Sequence, residues 1–217
     1  QDGRILHYGQ FVAMIVAETA ESATTAANLV SVIYEESTPL LAIEDTRAEL
    51  VTNPWKMDMQ RGDVLAGLAG AAVRLDATYT TSENTNNPMG LFATVATWDD
   101  DALTIHDATQ GPSFVRSSLA TVFDIPEARI RVLAPYVGGG FGAGTRVWPH
   151  VILTAMAARM VERPVKLVLT RPQMFTSVGH RPDGIQYVRI GASDDGTLVA
   201  IDHEATSSVA LEDDNLE

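Results

Sequence analysis

The chain has 217 residues, with 15 Lys and Arg against 28 Asp and Glu. The net charge of −13 repels phosphate backbones and anionic lipid, and so argues against nucleic acid or a membrane surface as a bulk partner. Hydrophobic residues at 46% describe a core-forming chain rather than a disordered one, and the lack of cysteine excludes disulfides, thiolate nucleophiles and Cys-ligated zinc or iron–sulfur centres within it.

Tyr8 to Glu18 is an apolar run rich in Val, Ile and Phe that predicts a buried strand. Thr19 can cap a helix whose face is Ala23, Ala26, Ala27 and Val30. Val32 to Tyr34 then predicts a second strand, completing a short β-α-β unit. The polar, Pro-containing stretch from Ser37 to Met59 reads as a connection, with a domain boundary near Arg61. A short helix over Asp63 to Ala69 leads into a strand over Val73 to Thr81.

Asn86-Asn87-Pro88-Met89-Gly90 is a turn, because Asn and Gly tolerate positive φ and Pro fixes its own. Strands over Phe92 to Trp98 and Leu103 to His106 flank Asp99-Asp100-Asp101, a hairpin signal. Pro112 to Phe123 predicts a helix with Pro in its first turn. Arg129 to Pro135 predicts a strand, Trp148 to Val161 an Ala-rich helix and Val165 to Thr170 a further strand. Ile185 to Ala192 and Leu198 to Ser207, around Ser193-Asp194-Asp195-Gly196, form an antiparallel hairpin. The apolar runs are too short and interrupted to span a membrane. The class is α+β with mixed sheets, and the ends of the chain read as those of an excised segment.

Five of the seven residues from Gly138 to Gly144 are glycine, with a predicted strand before them and a helix after. Consecutive residues without Cβ let backbone N–H groups converge on an anion, and a following helix N-terminus adds positive potential. A ligand-free turn needs only one or two glycines. The dinucleotide pattern Gly138-x-Gly140-x-x-Ala143 is one reading, with Val165 to Thr170 as second strand and Arg171 as a 2′-phosphate reader. Against it, much of the chain precedes the glycines and an antiparallel hairpin follows them.

A second reading comes from an ordered series of short motifs. Thr109-Gln110-Gly111-Pro112, Arg116 and Ile130-Arg131-Val132 precede Val137-Gly138-Gly139-Gly140-Phe141-Gly142. Arg163-Pro164-Val165-Lys166, Thr170-Arg171, Gly179-His180-Arg181-Pro182 and Asp195-Gly196-Thr197-Leu198 follow it. This series resembles the molybdenum-binding subunit of the xanthine dehydrogenase and aldehyde oxidase family. Tyr8-Gly9-Gln10-Phe11-Val12-Ala13 and Ala17-Glu18-Thr19 resemble its α/β hammerhead domain. Tyr79-Thr80-Thr81 and Asn87-Pro88-Met89 resemble the start of its cofactor domain.

The resemblance implies residues 1–60 as part of the hammerhead domain plus linker, and 61–217 as the first molybdenum-cofactor-binding domain. It implies a molybdopterin cofactor, in the cytosine dinucleotide form, with 2Fe-2S and FAD on partner subunits or domains. Gln110 would hydrogen-bond an oxygen ligand of molybdenum through an uncharged N–H₂ donor. Gly139, Gly140, Phe141 and Gly142 would lie against the pterin and metal, with the Phe141 ring near the substrate path. The chain itself would contribute no direct metal ligand.

The implied reaction is hydroxylation of a C–H carbon beside oxygen or nitrogen with water as oxygen source, using a glutamate base from a later segment. The fragment alone would be inactive, and a scaffold or docking role is the alternative. Two departures matter. Many relatives carry His-Asn-Pro-Met-Glu where this chain has Asn86-Asn87-Pro88-Met89-Gly90, and Thr145 stands where purine-oxidising relatives place a substrate-binding glutamate. The second tilts the expectation toward aldehydes or other small carbonyl or heterocyclic substrates. His106 and His203 read as strand histidines, His180 as part of a loop motif, and Asp99 to Asp101 as a solvated turn without calcium-loop spacing.

Overall fold

The computed structural model describes residues 3–39, 43, 49, 51 and 58–208. Most of the predicted connection from Ser37 to Met59, and the acidic segment from Glu212, lie outside the described residues. The chain divides into two units, one of Gln1–Glu35 with Thr85–His180 and one of Glu36–Asn84 with Arg181–Glu217.

The first unit opens with helix α1 (Ala20–Ala27), capped by the Thr19 side chain, which accepts the Ser22 N–H. The segments flanking α1 are extended but belong to no ladder, so the expected β-α-β pairing does not form. A strand is a relation between two backbones, and none of the described residues pairs with these. Phe11 and Met14 nevertheless pack on the cores of this unit. The Ser177 hydroxyl donates to Gly9 O at 2.7 Å.

A four-stranded mixed sheet forms the body of this unit. Its strands are β2 (Ala93–Asp99), β3 (Ala102–Asp107), β4 (Ile130–Leu133) and β5 (Val165–Val168), in the order β4-β3-β2-β5. The β2–β3 hairpin closes at Asp100, with φ +50. Helix α3 (Pro112–Phe123) carries the chain from β3 across to β4, which pairs parallel to β3. Helix α4 (Pro149–Val161) leads into β5, which pairs antiparallel to β2. Both helices end on a left-handed residue, Asp124 and Glu162; ending this way lets the cap N–H reach back to a helical carbonyl.

Alternation decides which sheet face is buried. Thr94, Ala96, Leu103, Ile105 and Asp107 all point inward. There Val115 and Leu119 of α3 join Val151, Ala155 and Ala158 of α4 in one core. Trp98 ties the two helices together: its Nε1 donates to Ala155 O at 2.8 Å, and its ring meets Phe123 edge-on with centroids 5.2 Å apart.

The second unit is a three-stranded antiparallel sheet in the order β1-β6-β7, built from β1 (Val73–Thr81), β6 (Gly184–Ala192) and β7 (Leu198–Ser207). Helix α2 (Val64–Gly70), capped by Asp63, packs where the paired Gly191 and Ala200 bear no bulk. A Cβ on Gly191 would stand 2.8 Å from Ala71 Cβ, and one on Gly67 3.0 Å from Ala200 Cβ. The β6–β7 turn uses Gly196 at φ +84 and the Asp195 carboxylate, which accepts the Thr197 N–H. Among the described residues no helix is long and apolar enough to cross a membrane.

Candidate functional site

The glycine segment lies in the first unit, in the long connection between β4 and α4. It is a loop held on several sides rather than a tight strand-to-helix turn. A short 3₁₀ turn at Ala143–Thr145 follows the glycines, and α4 begins only at Pro149. The α4 N-terminus therefore does not directly follow the glycines. Gly138, Gly139 and Gly142 hold φ of +74, +81 and +97, and Phe141 holds +52. For Phe141 that left-handed backbone costs energy that surrounding contacts must offset.

The first support comes from the segment joining β3 to α3. Gln110 Oε1 accepts the N–H of Gly142 and that of Gly144, each at 3.2 Å. The backbone runs the other way, with Gln110 N donating to Gly144 O at 2.7 Å. The Thr109 hydroxyl also donates to Gly144 O, at 3.0 Å, and accepts the Gly111 N–H. The Gln110 amide is thus held by its oxygen. Among the described residues its Nε2 meets no acceptor, which leaves two N–H bonds for a ligand.

The second support is the Asn86–Gly90 turn. Asn86 Nδ2 donates to Phe141 O at 2.6 Å, and Gly90 N donates to Gly138 O at 2.9 Å. Arg171 holds this turn: Nη1 donates to Asn87 Oδ1 at 3.0 Å and to Pro88 O at 2.8 Å, and Nη2 to Met89 O at 2.7 Å.

Further along, the Thr145 hydroxyl donates to Gly142 O at 2.6 Å, and Trp148 Nε1 donates to Ala143 O at 2.7 Å. Among the described residues the N–H groups of Gly138, Gly139 and Gly140 donate to no acceptor. That is the arrangement by which a backbone receives an electron-rich ligand. Phe141 is 64% exposed and lines an open cleft of about 590 Å³ with Asn87, Pro88, Met89, Arg171 and Phe175.

The structure therefore brings Gln110, Gly140, Phe141 and Gly142 together, and puts Gly139 beside the Phe141 ring. It also recruits Asn86, Thr109 and Arg171, whose parts in the site the motif series did not reveal. The Asn-Pro and Thr-Arg motifs were visible as strings, but their pairing across 82 to 84 residues was not. Arg171 commits three of its five N–H groups to the turn, which leaves it poorly suited to read a phosphate. The strands before and after the glycines and α4, β4 and β5, also lie at opposite edges of the sheet, whereas a dinucleotide fold pairs them side by side.

His106 and His203 lie on β3 and β7. Among the described residues no three His, Asp or Glu side chains cluster to hold a metal ion.

Two buried titratable groups lie in this unit's core. Burial pushes the Asp107 carboxyl up to about 6, against opposing hydrogen bonds from Thr94 and Ala108. The Thr94 hydroxyl reaches it across the hairpin at 2.5 Å. Burial holds the His150 imidazole down at about 4; its ring stacks on Phe92, and among the described residues neither nitrogen has a hydrogen-bond partner.

Comparison with known proteins places this arrangement. The model of the molybdopterin cofactor-binding domain matches residues 44–214. The aldehyde oxidoreductase molybdenum-binding subunit PaoC of Escherichia coli K12 is 38% identical over 94% of this chain and 28% of its own length. Aldehyde oxidase 4 of Arabidopsis thaliana is 32% identical over 89% of this chain and 15% of its own. The crystal structure of quinoline 2-oxidoreductase from Pseudomonas putida 86 superposes with a TM-score of 0.75 at 27% identity, over 87% of this chain and 25% of that one. The chain thus spans under a third of the length of these relatives.

Proposed function

This chain belongs to the molybdopterin cofactor-binding domain family, and from that premise we propose that it forms one wall of the cofactor site in a molybdenum hydroxylase acting on aldehydes or N-heterocycles. The observation that carries the reading is the Gln110 amide: two loop N–H groups hold its oxygen, and its nitrogen is left to donate. When bound, the molybdenum cofactor supplies the two-electron oxidation that converts a C–H bond beside oxygen or nitrogen into C–OH, with water as oxygen source.

The residues present fit such a group. Gln110 Nε2 would hold an oxygen of that group without adding a competing charge. The Gly139 and Gly140 N–H groups offer further donors where no side chain blocks approach. Gly142 contributes differently, by donating to Gln110 and so fixing its orientation. The Phe141 ring lines an open, mostly apolar cleft of about 590 Å³. No residue of this chain is assigned as general base; the resemblance puts that glutamate in a later segment of the longer relatives.

Within this reading, residues 1–60 are the end of an α/β hammerhead domain with its linker, and 61–217 the first cofactor-binding domain. The cofactor is the cytosine dinucleotide form of molybdopterin, and electrons leave through partner 2Fe-2S and FAD groups. Aldehydes or related small substrates are preferred over purines because Thr145 closes the loop through Gly142 O and offers no carboxylate. A scaffold role is the second reading, favoured by Gly90 and Thr145, which stand where many relatives carry glutamates.

The test is to purify the intact native subunit with its partners, measure molybdenum by mass spectrometry and assay aldehydes against purines. Stoichiometric molybdenum with aldehyde turnover is expected. A fully active, metal-free complex would overturn the reading.

A further inference from the structure

We propose that Arg171 is the positioning residue of the Gly138–Gly142 loop, acting through the Asn86–Gly90 turn; this deepens the reading of that loop as the cofactor wall and rests on it.

Apart from Phe141, the loop carries no side chains of its own from Gly138 to Gly142, and the Phe141 ring faces largely outward. Glycine backbone has the most conformational freedom to lose, so a defined loop geometry requires constraints from outside. Gln110 constrains the far end, at Gly142 and Gly144. Before Gly142, the carbonyl oxygens of Gly138 and Phe141 are held by the turn.

The turn bears on the loop at its two ends, through Gly90 N to Gly138 O and Asn86 Nδ2 to Phe141 O. At the first point the backbones touch: a Cβ on Gly90 would stand 2.8 Å from Gly138 Cα. The two bonds bracket Gly139 and Gly140, whose N–H groups are the open donors.

Within the turn, Asn87 takes the left-handed backbone that Asn tolerates, at φ +40, Pro88 is buried and Met89 is 91% exposed. Arg171 ties its three middle residues, Asn87, Pro88 and Met89, to one guanidinium. All three acceptors are amide oxygens and none is a carboxylate, so the requirement is for a rigid multidentate donor rather than for charge. Lysine retains the charge but not the planar fork.

The experiment uses the full-length subunit in its native complex, as wild type, R171K, R171Q and N86A. Hydrogen–deuterium exchange is read in peptides covering 84–92, 137–145, α3 and α4, alongside molybdenum content, kcat and KM. In both Arg171 variants, exchange of the hydrogen-bonded Gly90 and Gly142 N–H groups should rise about tenfold with α3 and α4 unchanged, since the lost bonds support only that local structure. R171K should resemble R171Q and not wild type, and N86A should raise exchange in the same peptides by a smaller factor. Turnover should fall through kcat more than through KM.

Unchanged exchange at Gly90 and Gly142 in R171K, or a rise shared equally by α3 and α4, would overturn the proposal. If wild type binds no molybdenum, the cofactor reading fails instead, and the exchange comparison still decides whether Arg171 sets the loop.

Discussion

Gly140 sits so close to Gln110 that no side chain fits between them: a Cβ on Gly140 would stand 2.0 Å from Gln110 Oε1 and 2.4 Å from its Cδ. Gly144 is also near Gln110, but its Cβ would stand 3.1 Å from Oε1. The amide is therefore seated over one glycine and merely adjacent to the other. Two bonds from the Gly142 and Gly144 N–H groups keep it there.

Gly140→Ala must displace the Gln110 side chain, and overpacking of this kind costs about 1–3 kcal/mol. The variant should melt lower than wild type and lose most of its molybdenum, whereas Gly144→Ala should retain more of both. Thermal denaturation with metal analysis of the intact subunit checks this, and equal behaviour of the two variants would contradict it.

Gln110→Glu separates the two jobs of the amide. A carboxylate still accepts the Gly142 and Gly144 N–H groups, so loop stability should hold, but it cannot donate as Nε2 does and adds a negative charge. Turnover should fall by about 10- to 100-fold, as for loss of one well-placed hydrogen bond of 1.5–3 kcal/mol. Gln110→Ala should lose loop order as well, seen as faster amide exchange at Gly142 and Gly144.

Asp107 and His150 pull the pH dependence of stability in opposite directions. Asp107 is raised from 3.8 to about 6, so the folded state holds its proton more tightly and stability declines as pH rises through that window. His150 is lowered from 6.5 to about 4, so the unfolded state binds its proton more tightly and stability declines as pH falls through that window. Between pH 4 and 6 the two slopes nearly cancel. Asp107→Asn removes one of them and should lose about 2 kcal/mol more stability than wild type between pH 6.5 and 4. Urea titrations at a series of pH values measure the difference; parallel curves for the two proteins would refute it.

Trp98→Phe should destabilise the first unit by about 1–3 kcal/mol, through loss of the Nε1 bond to Ala155 O and weaker stacking of Arg159 on the ring. Arg159 lies 4.9 Å from the Trp98 ring centroid. Chemical denaturation followed by far-UV circular dichroism reads this cost, and Arg159→Met in the Trp98→Phe background should add little further.

Much of the fold was legible because its signals are local. Pro112 in a first turn set the start of α3, Asp99-Asp100-Asp101 marked the β2–β3 hairpin, and Ser193-Asp194-Asp195-Gly196 marked the β6–β7 turn. Each depends on residues a few positions apart. Tyr8 to Glu18 and Val32 to Tyr34 show the limit, since their composition favours extended backbone but pairing depends on a partner strand.

The site divides in the same way. By itself the sequence determined that Gly138 to Gly144 would be a loop open to a ligand, and the ordered motifs pointed to Gln110 and to the chemistry class. Only the tertiary structure decided which end of the Gln110 amide is engaged, because its partners Gly142 and Gly144 lie 32 and 34 residues away. Likewise it turned Arg171 from a candidate phosphate reader into the clamp of a turn 82 to 84 residues upstream. A residue's type sets which hydrogen bonds it can make; which of them it does make depends on the atoms that folding brings within about 3 Å.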